Sequence, residues 1–345
     1  MTYKKPEKLK QGDVVAIVSP SWGGPSVFPH IYENGLKVLT EWGLKIKEFP
    51  TARMDAGFLR ENPQVRAKDI NDAFADPEVK AIFASIGGDD SVRILPFVDK
   101  NIVAKNPKIL MGYSDTSTLH VFANLQGLVS LYGPSIMAGF SQMENLPENF
   151  KSHVHEILFE AKENYEYKPY GKYCDGYLDW SNKENLGKTK PIKTDDGWHW
   201  LQGNTKVQGE LFGGCIEVLE MMKATDFWPS QNFWKEKIFF LETSEEKPSI
   251  HYIDHVLRNY GMLGVFDQIS GFIFSRARDY SDDEKKELEE KIISIIAKEF
   301  GKPNLPIVAN FDVGHTDPQL VLPLGVKAEI DCLAKRVSLV ESWTE

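Results

Sequence analysis

The 345-residue sequence has only three cysteines, Cys174, Cys215 and Cys332. They are far apart, odd in number and never in C-x-x-C spacing. This excludes a disulfide framework or a cysteine-based zinc site and fits a reducing compartment. Positive charge is also short: 40 Lys and Arg stand against 50 Asp and Glu, a formal net charge of −10 spread along the chain. Phosphate backbones need concentrated Lys and Arg, so a nucleic acid polymer is excluded as the main partner. No stretch approaches the roughly 18 apolar residues of a membrane span. The opening MTYKKPEKLKQGD has no apolar segment after its lysines, so no signal peptide is read. A soluble, cytoplasmic protein is expected. Missing too are a G-x-G-x-x-G after a strand and a Walker A sequence, which weakens any dinucleotide or P-loop reading.

What is present alternates strand and helix. Asp13 to Ser19 is a short β-branched run, Lys80 to Ser85 and Lys108 to Tyr113 are two more, and Leu44 to Phe49 is a fourth. Between them, Ile31, Gly35, Val38, Leu39 and Trp42 recur at helical spacing, with Gly43 placed to end that helix. Asn62-Pro63 signals a second helix start. Such β-α units predict a mostly parallel sheet covered on both faces. Periodicity lapses near residues 165–205, which are rich in Tyr, Trp, Gly, Lys and Asp. The expected organisation is an N-terminal α/β domain over residues 1–165, a linker with an aromatic loop over 166–205, and a C-terminal domain over 206–345. In that last part, Gly213-Gly214 is read as the turn into a helix from Cys215 to Lys223. Lys237 to Leu241 and Pro306 to Phe311 are strands, and Ser281 with Glu284 forms a capping box.

Ligands of open parallel sheets bind beyond the carboxyl ends of strands. Gly112-Tyr113-Ser114-Asp115 is the sharpest cluster there: an apolar strand runs into a serine and a helix starts at once. Free N–H groups at a helix start favour negative charge. The arrangement resembles a nucleophile elbow without meeting G-x-S-x-G. From spacing alone, a serine or aspartate that simply caps the helix is the other reading. Gly87-Gly88 lets backbone approach a ligand closely, or is a plain turn. A serine nucleophile needs a base. His120 lies on the helix after Ser114, and His153 and His155 fall on a surface-like helix. His251 and His255 sit one helical turn apart without a zinc motif, so a solvated face is read. His315 differs, lying in a glycine-flanked loop just past a strand. Glu242 ends the strand KIFFL, where a carboxylate can orient an imidazole.

These residues carry a resemblance that runs nearly the whole length. LKQGDVVAIVSPS, ASIGGDD, ILMGYSDTS, GELFGGCIEVL, FLETSEEKP and ANFDVGH occur in order. The chain resembles the LD-carboxypeptidase family of serine peptidases, which includes muramoyl-tetrapeptide carboxypeptidases and microcin C immunity proteins. The resemblance implies a Rossmann-like parallel-sheet domain carrying the nucleophile Ser114. It implies a C-terminal mixed, partly β-barrel-like domain carrying the acid Glu242 and the base His315. It also implies an oxyanion hole from the N–H groups of Gly88 and Asp115, a homodimer, and no metal or cofactor.

Two substrates compete within the family. One is an amide of an aminoacyl-nucleotide, as the microcin immunity branch cleaves; the other is murein tetrapeptide, losing its terminal D-Ala. The stretch from Tyr165 to Trp200 resembles the loop that the immunity branch sets against a nucleobase. Trp180, Trp198 and Trp200 are therefore candidate base-stacking residues, or else they pack a domain junction. Gly87, Asp89 and Arg276 are further substrate-contact candidates, and Arg93 and Arg278 are weighed beside Arg276 as anion partners. A non-catalytic peptide or nucleotide binder is the reading from a different class.

Overall fold

The computed structural model describes residues 2–345. In chain order the strands are β1 (Val14–Val18), β2 (Lys45–Glu48), β3 (Val79–Ala84), β4 (Ile109–Gly112), β5 (Ser130–Tyr132), β6 (Tyr165–Glu166), β7 (Lys172–Tyr173) and β8 (Lys193–Thr194). They continue with β9 (His199–Gln202), β10 (Lys206–Cys215), β11 (Lys237–Glu242), β12 (Gly271–Ser275), β13 (Ile307–Phe311), β14 (Leu322–Leu324), β15 (Lys327–Asp331) and β16 (Arg336–Leu339).

A six-stranded sheet runs β14-β5-β4-β3-β1-β2. Strands β1 to β5 are parallel, and β14 returns antiparallel beside β5. Parallel strands need crossovers, and helices Pro29–Glu41, Pro63–Ala75 and Ser117–Leu125 supply them. Strands β1, β3 and β4 are almost wholly buried, as apolar runs covered on both faces should be. Chain order reverses between β1 and β3, which opens a crevice at their carboxyl ends. The loops after β1, β3 and β4 line it.

The second sheet runs β6-β16-β15-β10-β11-β12-β13-β9. Strands β10 to β13 are parallel, while β9, β15, β16 and β6 are antiparallel additions. The carboxyl ends of β10, β11 and β13 bring Cys215, Glu242 and the Asp312–Thr316 loop toward the loop after β4. Both sheets are therefore used at the same kind of edge.

Several details depart from the sequence reading. Gly213 and Gly214 are not a turn but the last part of the ten-residue β10. A Cβ on Gly214 would meet Ser117 Oγ at 2.6 Å, so β10 meets the helix after β4 through bare backbone there. Asn62 precedes its helix without a side-chain cap; its amide instead donates to the Phe58 carbonyl at 2.8 Å. Residues 166–205 hold four short strands rather than irregular chain alone. Two of them extend the second sheet, and β7 pairs with β8. His153 is buried, not at the surface: the Val321 N–H donates to its Nε2 at 2.8 Å, and its Nδ1 lies 2.6 Å from the Tyr165 hydroxyl. Among the described residues no helix is long and apolar enough to cross a membrane.

Candidate active site

Ser114 sits at the tightest point of the chain between β4 and the helix it feeds. Its φ is +60°, a left-handed value that a non-glycine residue adopts only when its surroundings impose it. Three hydrogen bonds hold the turn. The Ser114 N–H donates to the Tyr132 hydroxyl (3.1 Å), the Ser117 hydroxyl donates to the Ser114 carbonyl (2.6 Å), and His120 Nε2 reaches the Gly112 carbonyl (2.8 Å). His120 is thus a structural clamp, and burial pushes its imidazole down to about 4, so it stays neutral. The next residue, Asp115, is fully buried and accepts N–H bonds from Asp90 (3.0 Å) and Ser91 (2.8 Å). Those bonds fix the loop after β3, which carries Gly87-Gly88, against the turn.

His315 Nε2 lies 3.0 Å from Ser114 Oγ, and its Nδ1 lies 2.6 Å from Glu242 Oε2. These residues are 201 and 73 positions apart in sequence, so the chain of bonds exists only when both sheets are assembled. Glu242 is completely buried, and its other oxygen accepts the Tyr132 hydroxyl at 2.6 Å. Tyr132 therefore touches both ends of the array, the serine backbone and the carboxylate. Gly314 makes the His315 approach possible. Its φ is +91°, and a Cβ there would run into the Glu242 carboxylate.

A second carboxylate also faces the imidazole: Glu245 Oε2 is 3.0 Å from His315 Nε2. Burial opposes a charged imidazole, but the Glu242 charge and hydrogen bond, then Glu245, outweigh it and raise His315 to about 10. Burial would raise Glu245, but its pairing with His315 brings it down to about 2. Cys215 lies beside the array, with ligand atoms of Cys215, Glu242 and His315 all within 4.8 Å of one another. Burial pushes its thiol well up, so it stays protonated, and it donates to Glu217 at 3.2 Å. Glu242 and His315 are joined directly, which suits proton relay better than ligation.

Ser114 opens into a cavity of about 270 Å³ lined by Trp22, Ile86, Gly87, Gly88, Tyr113, Tyr177, Trp180, Glu245 and His315. Larger hollows near His199 and near Lys237 contain no comparable array. Gly87 lies so close that a Cβ would sit 3.0 Å from Ser114 Oγ. Trp180 stacks on Tyr177 with ring centroids 4.4 Å apart and belongs to the cavity wall.

Other candidates are placed elsewhere. Trp198 packs on Phe311 and donates its Nε1–H to Asp312 at 2.7 Å. Trp200 lies on β9, opposite Val308. Arg276 is fully buried and spends its guanidinium on Asp195 and Asp312, 2.6 Å from each. Asp89 is exposed and faces Arg60 at 3.7 Å. Arg93 pairs with Asp90 at 2.8 Å. Trp198, Trp200, Asp89 and Arg276 are not among the residues that line the cavity beside Ser114. Arg278 lies behind the wall, with its guanidinium 5.4 Å from the Tyr177 ring centre. Sequence reasoning missed Tyr132 and Tyr177; Trp22 and Glu245 fall in strand-end loops that it places near a ligand without singling either residue out.

Two family models account for most of the chain. One, the LD-carboxypeptidase N-terminal domain, matches residues 15–133, and the other, the LD-carboxypeptidase C-terminal domain, matches residues 208–330. The chain belongs to the LD-carboxypeptidase family. It is thereby a serine-type peptidase or amidase. It is 28% identical to the microcin C7 self-immunity protein MccF of Escherichia coli, covering 97% of this chain and 95% of that one. It is 26% identical to a Bacillus subtilis protein named for murein peptide carboxypeptidase activity, covering 98% and 94%. A solved structure of MccF in complex with aspartyl sulfamoyl adenosine superposes with a TM-score of 0.86, at 26% identity over 99% of this chain and 100% of that one. The LD-carboxypeptidase fold, an α/β sheet joined to a mixed one, is thus the fold of this chain.

Proposed function

We propose that this chain hydrolyses the acyl amide of an aminoacyl-nucleotide or related peptide, as a microcin-immunity type of LD-carboxypeptidase. Ser114 is the nucleophile, His315 its base and later the acid for the leaving amine, and Glu242 the group that holds and charge-stabilises the imidazole. The N–H groups of Asp115 and Gly88 receive the developing oxyanion, a role supported by the close approach of the loop at Gly87, where a Cβ would sit 3.0 Å from Ser114 Oγ, and by Gly88 lining the same cavity. Trp180 carries the choice of substrate class. It is a flat ring stacked in the wall of the Ser114 cavity, suited to a nucleobase. MccF, a relative bound to an aminoacyl adenosine, supports that choice. By resemblance the working unit is a homodimer, and the sparse, unpaired cysteines suit a cytoplasmic one.

Mass spectrometry of products tests the reading. Aspartyl sulfamoyl adenosine and murein tetrapeptide would be incubated in parallel with wild type and Ser114→Ala. Release of aspartate only is expected. Release of D-Ala only would move the protein to the murein branch, the second reading, which the B. subtilis relative favours by name. Binding of either compound without turnover would make it a binder.

Trp180→Ala is expected to raise KM for the adenosine substrate about 5- to 150-fold, the equivalent of losing one base stack, with kcat nearly unchanged. Steady-state kinetics checks this. A KM that does not move would remove the nucleobase from this wall.

A further inference from the structure

The catalytic array contains a conflict. His315 Nε2 has two neighbours at the same distance, Ser114 Oγ and Glu245 Oε2, each at 3.0 Å. Its other nitrogen already faces the Glu242 carboxylate. An imidazole between two carboxylates keeps both protons. In that state Nε2 has no lone pair to take the Ser114 proton. Something must draw Glu245 away, or cancel its charge, before the serine can attack.

Glu245 is placed for that. Its side chain is 49% exposed, while Glu242 has no exposure at all. Its loop is held on one side: the Ser244 N–H and hydroxyl both donate to Glu217 Oε1, at 3.1 and 2.6 Å. On the other side Lys247 pairs with Glu284 at 2.8 Å. The neighbours of Glu245 are thus anchored on both sides, while its own half-exposed carboxylate has His315 as its ion-pair partner. Among the described residues it is also the only carboxylate lining the cavity, whose walls include the rings of Trp22, Tyr113, Tyr177 and Trp180. One anion beside aromatic rings complements a small cation, whose charge a ring face also attracts. Besides Glu242, Glu245 and Ser114, the groups that bear on His315 are the edge-on Tyr113 ring (4.9 Å between centroids), the neutral Cys215 thiol and buried Asp317. Arg278 acts on Glu245 and Asp317 from behind Tyr177. None of these supplies a mobile cation at Nε2.

We propose that Glu245 recognises a free ammonium group next to the scissile carbonyl, and that pairing with it frees His315 Nε2 to accept the Ser114 proton. This rests on the amide-hydrolase reading above and narrows its substrate class to amides whose acyl residue has an unblocked α-amine. In such a substrate the ammonium is two bonds from the carbonyl carbon. A carbonyl poised over Ser114 Oγ therefore brings it to the neighbourhood of Glu245. The proton balance is simple. The ammonium stays charged and pairs with Glu245, the Nε2 proton passes to solvent, and Nε2 then takes the Ser114 hydroxyl proton as the Oγ–C bond forms. Glu245 is in this sense a specificity and positioning residue, distinct from the Ser114, Glu242 and His315 chain.

The test compares aspartyl sulfamoyl adenosine with its N-acetyl form on wild type, Glu245→Gln, Glu245→Asp and Ser114→Ala, measuring kcat/KM from acidic to alkaline pH. Wild type is expected to prefer the free amine by about 10- to 100-fold, the usual worth of a charged hydrogen bond. Glu245→Gln should lose that preference. Its acidic limb should move to lower pH by about one unit or more, since one of the two charges holding the imidazolium is gone. Glu245→Asp should keep the preference. Retained preference in Glu245→Gln, or an acidic limb that does not move, would overturn the proposal while the hydrolase reading stands. Wild type inert toward both compounds would overturn that reading and this inference with it.

Discussion

Replacing Ser114 with alanine is expected to lower kcat by about 10⁶-fold while the protein keeps its fold and its affinity for substrate. The substitution removes one oxygen and little else. The turn that presents Ser114 is held by its own N–H and carbonyl, bonded to Tyr132 and Ser117, and alanine retains both. The residue already has a Cβ at φ +60°, so alanine adds no backbone strain. A melting temperature within a few degrees of wild type is the matching expectation. What is lost is the only hydroxyl 3.0 Å from His315 Nε2. Glycines and aromatic walls remain, so a residual rate about 10³–10⁴-fold above water should persist from oxyanion and binding contacts alone. Rapid-quench product analysis on the alanine variant, with affinity measured by calorimetry, reads both halves. Turnover within about tenfold of wild type would rule Ser114 out as nucleophile.

How much of this was legible in the sequence depends on where each residue gets its position. Glu242 is the last residue of an apolar strand, and Ser114 and His315 lie two and four residues past the ends of two others; a strand end announces itself in local composition. The capping box at Ser281 and Glu284 is local too, and forms as read. Tyr132 gives no such signal. It ends a three-residue strand whose register is set partly by Leu322, nearly two hundred positions later. Tyr177 and Glu245 lie in loops whose direction only the assembled sheets decide. Trp198 and Arg276 show the limit of local pattern: an aromatic ring or a guanidinium looks the same in sequence whether it serves a ligand or a buried partner. Arg276 is neutralised by Asp195, which comes from the stretch that shows no period. His153 could have been found. It follows Phe150 at helical spacing and precedes Val154 and Ile157 on the same buried face. The glycine pair before Cys215 looks like punctuation in sequence, whereas the sheet uses it so that Ser117 can approach the strand and accept the Cys215 N–H at 3.0 Å.

Glu242→Gln is expected to lower kcat about 10⁴-fold, less than loss of the serine but more than any change in the cavity wall. The shape is nearly conserved, so the deficit measures charge and proton placement. In the wild type a fully buried carboxylate accepts one bond from Tyr132 and one from His315 Nδ1–H, both at 2.6 Å. An amide cannot accept both with two oxygens. If its oxygen keeps Tyr132, its NH₂ faces Nδ1 and demands a lone pair there, which leaves the proton on Nε2, where Ser114 needs a base. If the amide turns round, the Tyr132 hydroxyl loses its acceptor, and that hydroxyl is also what the Ser114 N–H bonds to. Either way one end of the array is spoiled. The pH dependence should move in a definite direction. Burial disfavours the imidazolium, and the Glu242 charge is the largest influence opposing it. Without that charge the folded-state pKa of His315 falls, so whatever activity remains should persist to lower pH than in wild type. Titration of the His315 ring by NMR in both proteins, beside the kcat profile, separates the two effects. A drop smaller than about tenfold, with the His315 pKa unmoved, would mean that Glu242 only fills space behind the imidazole.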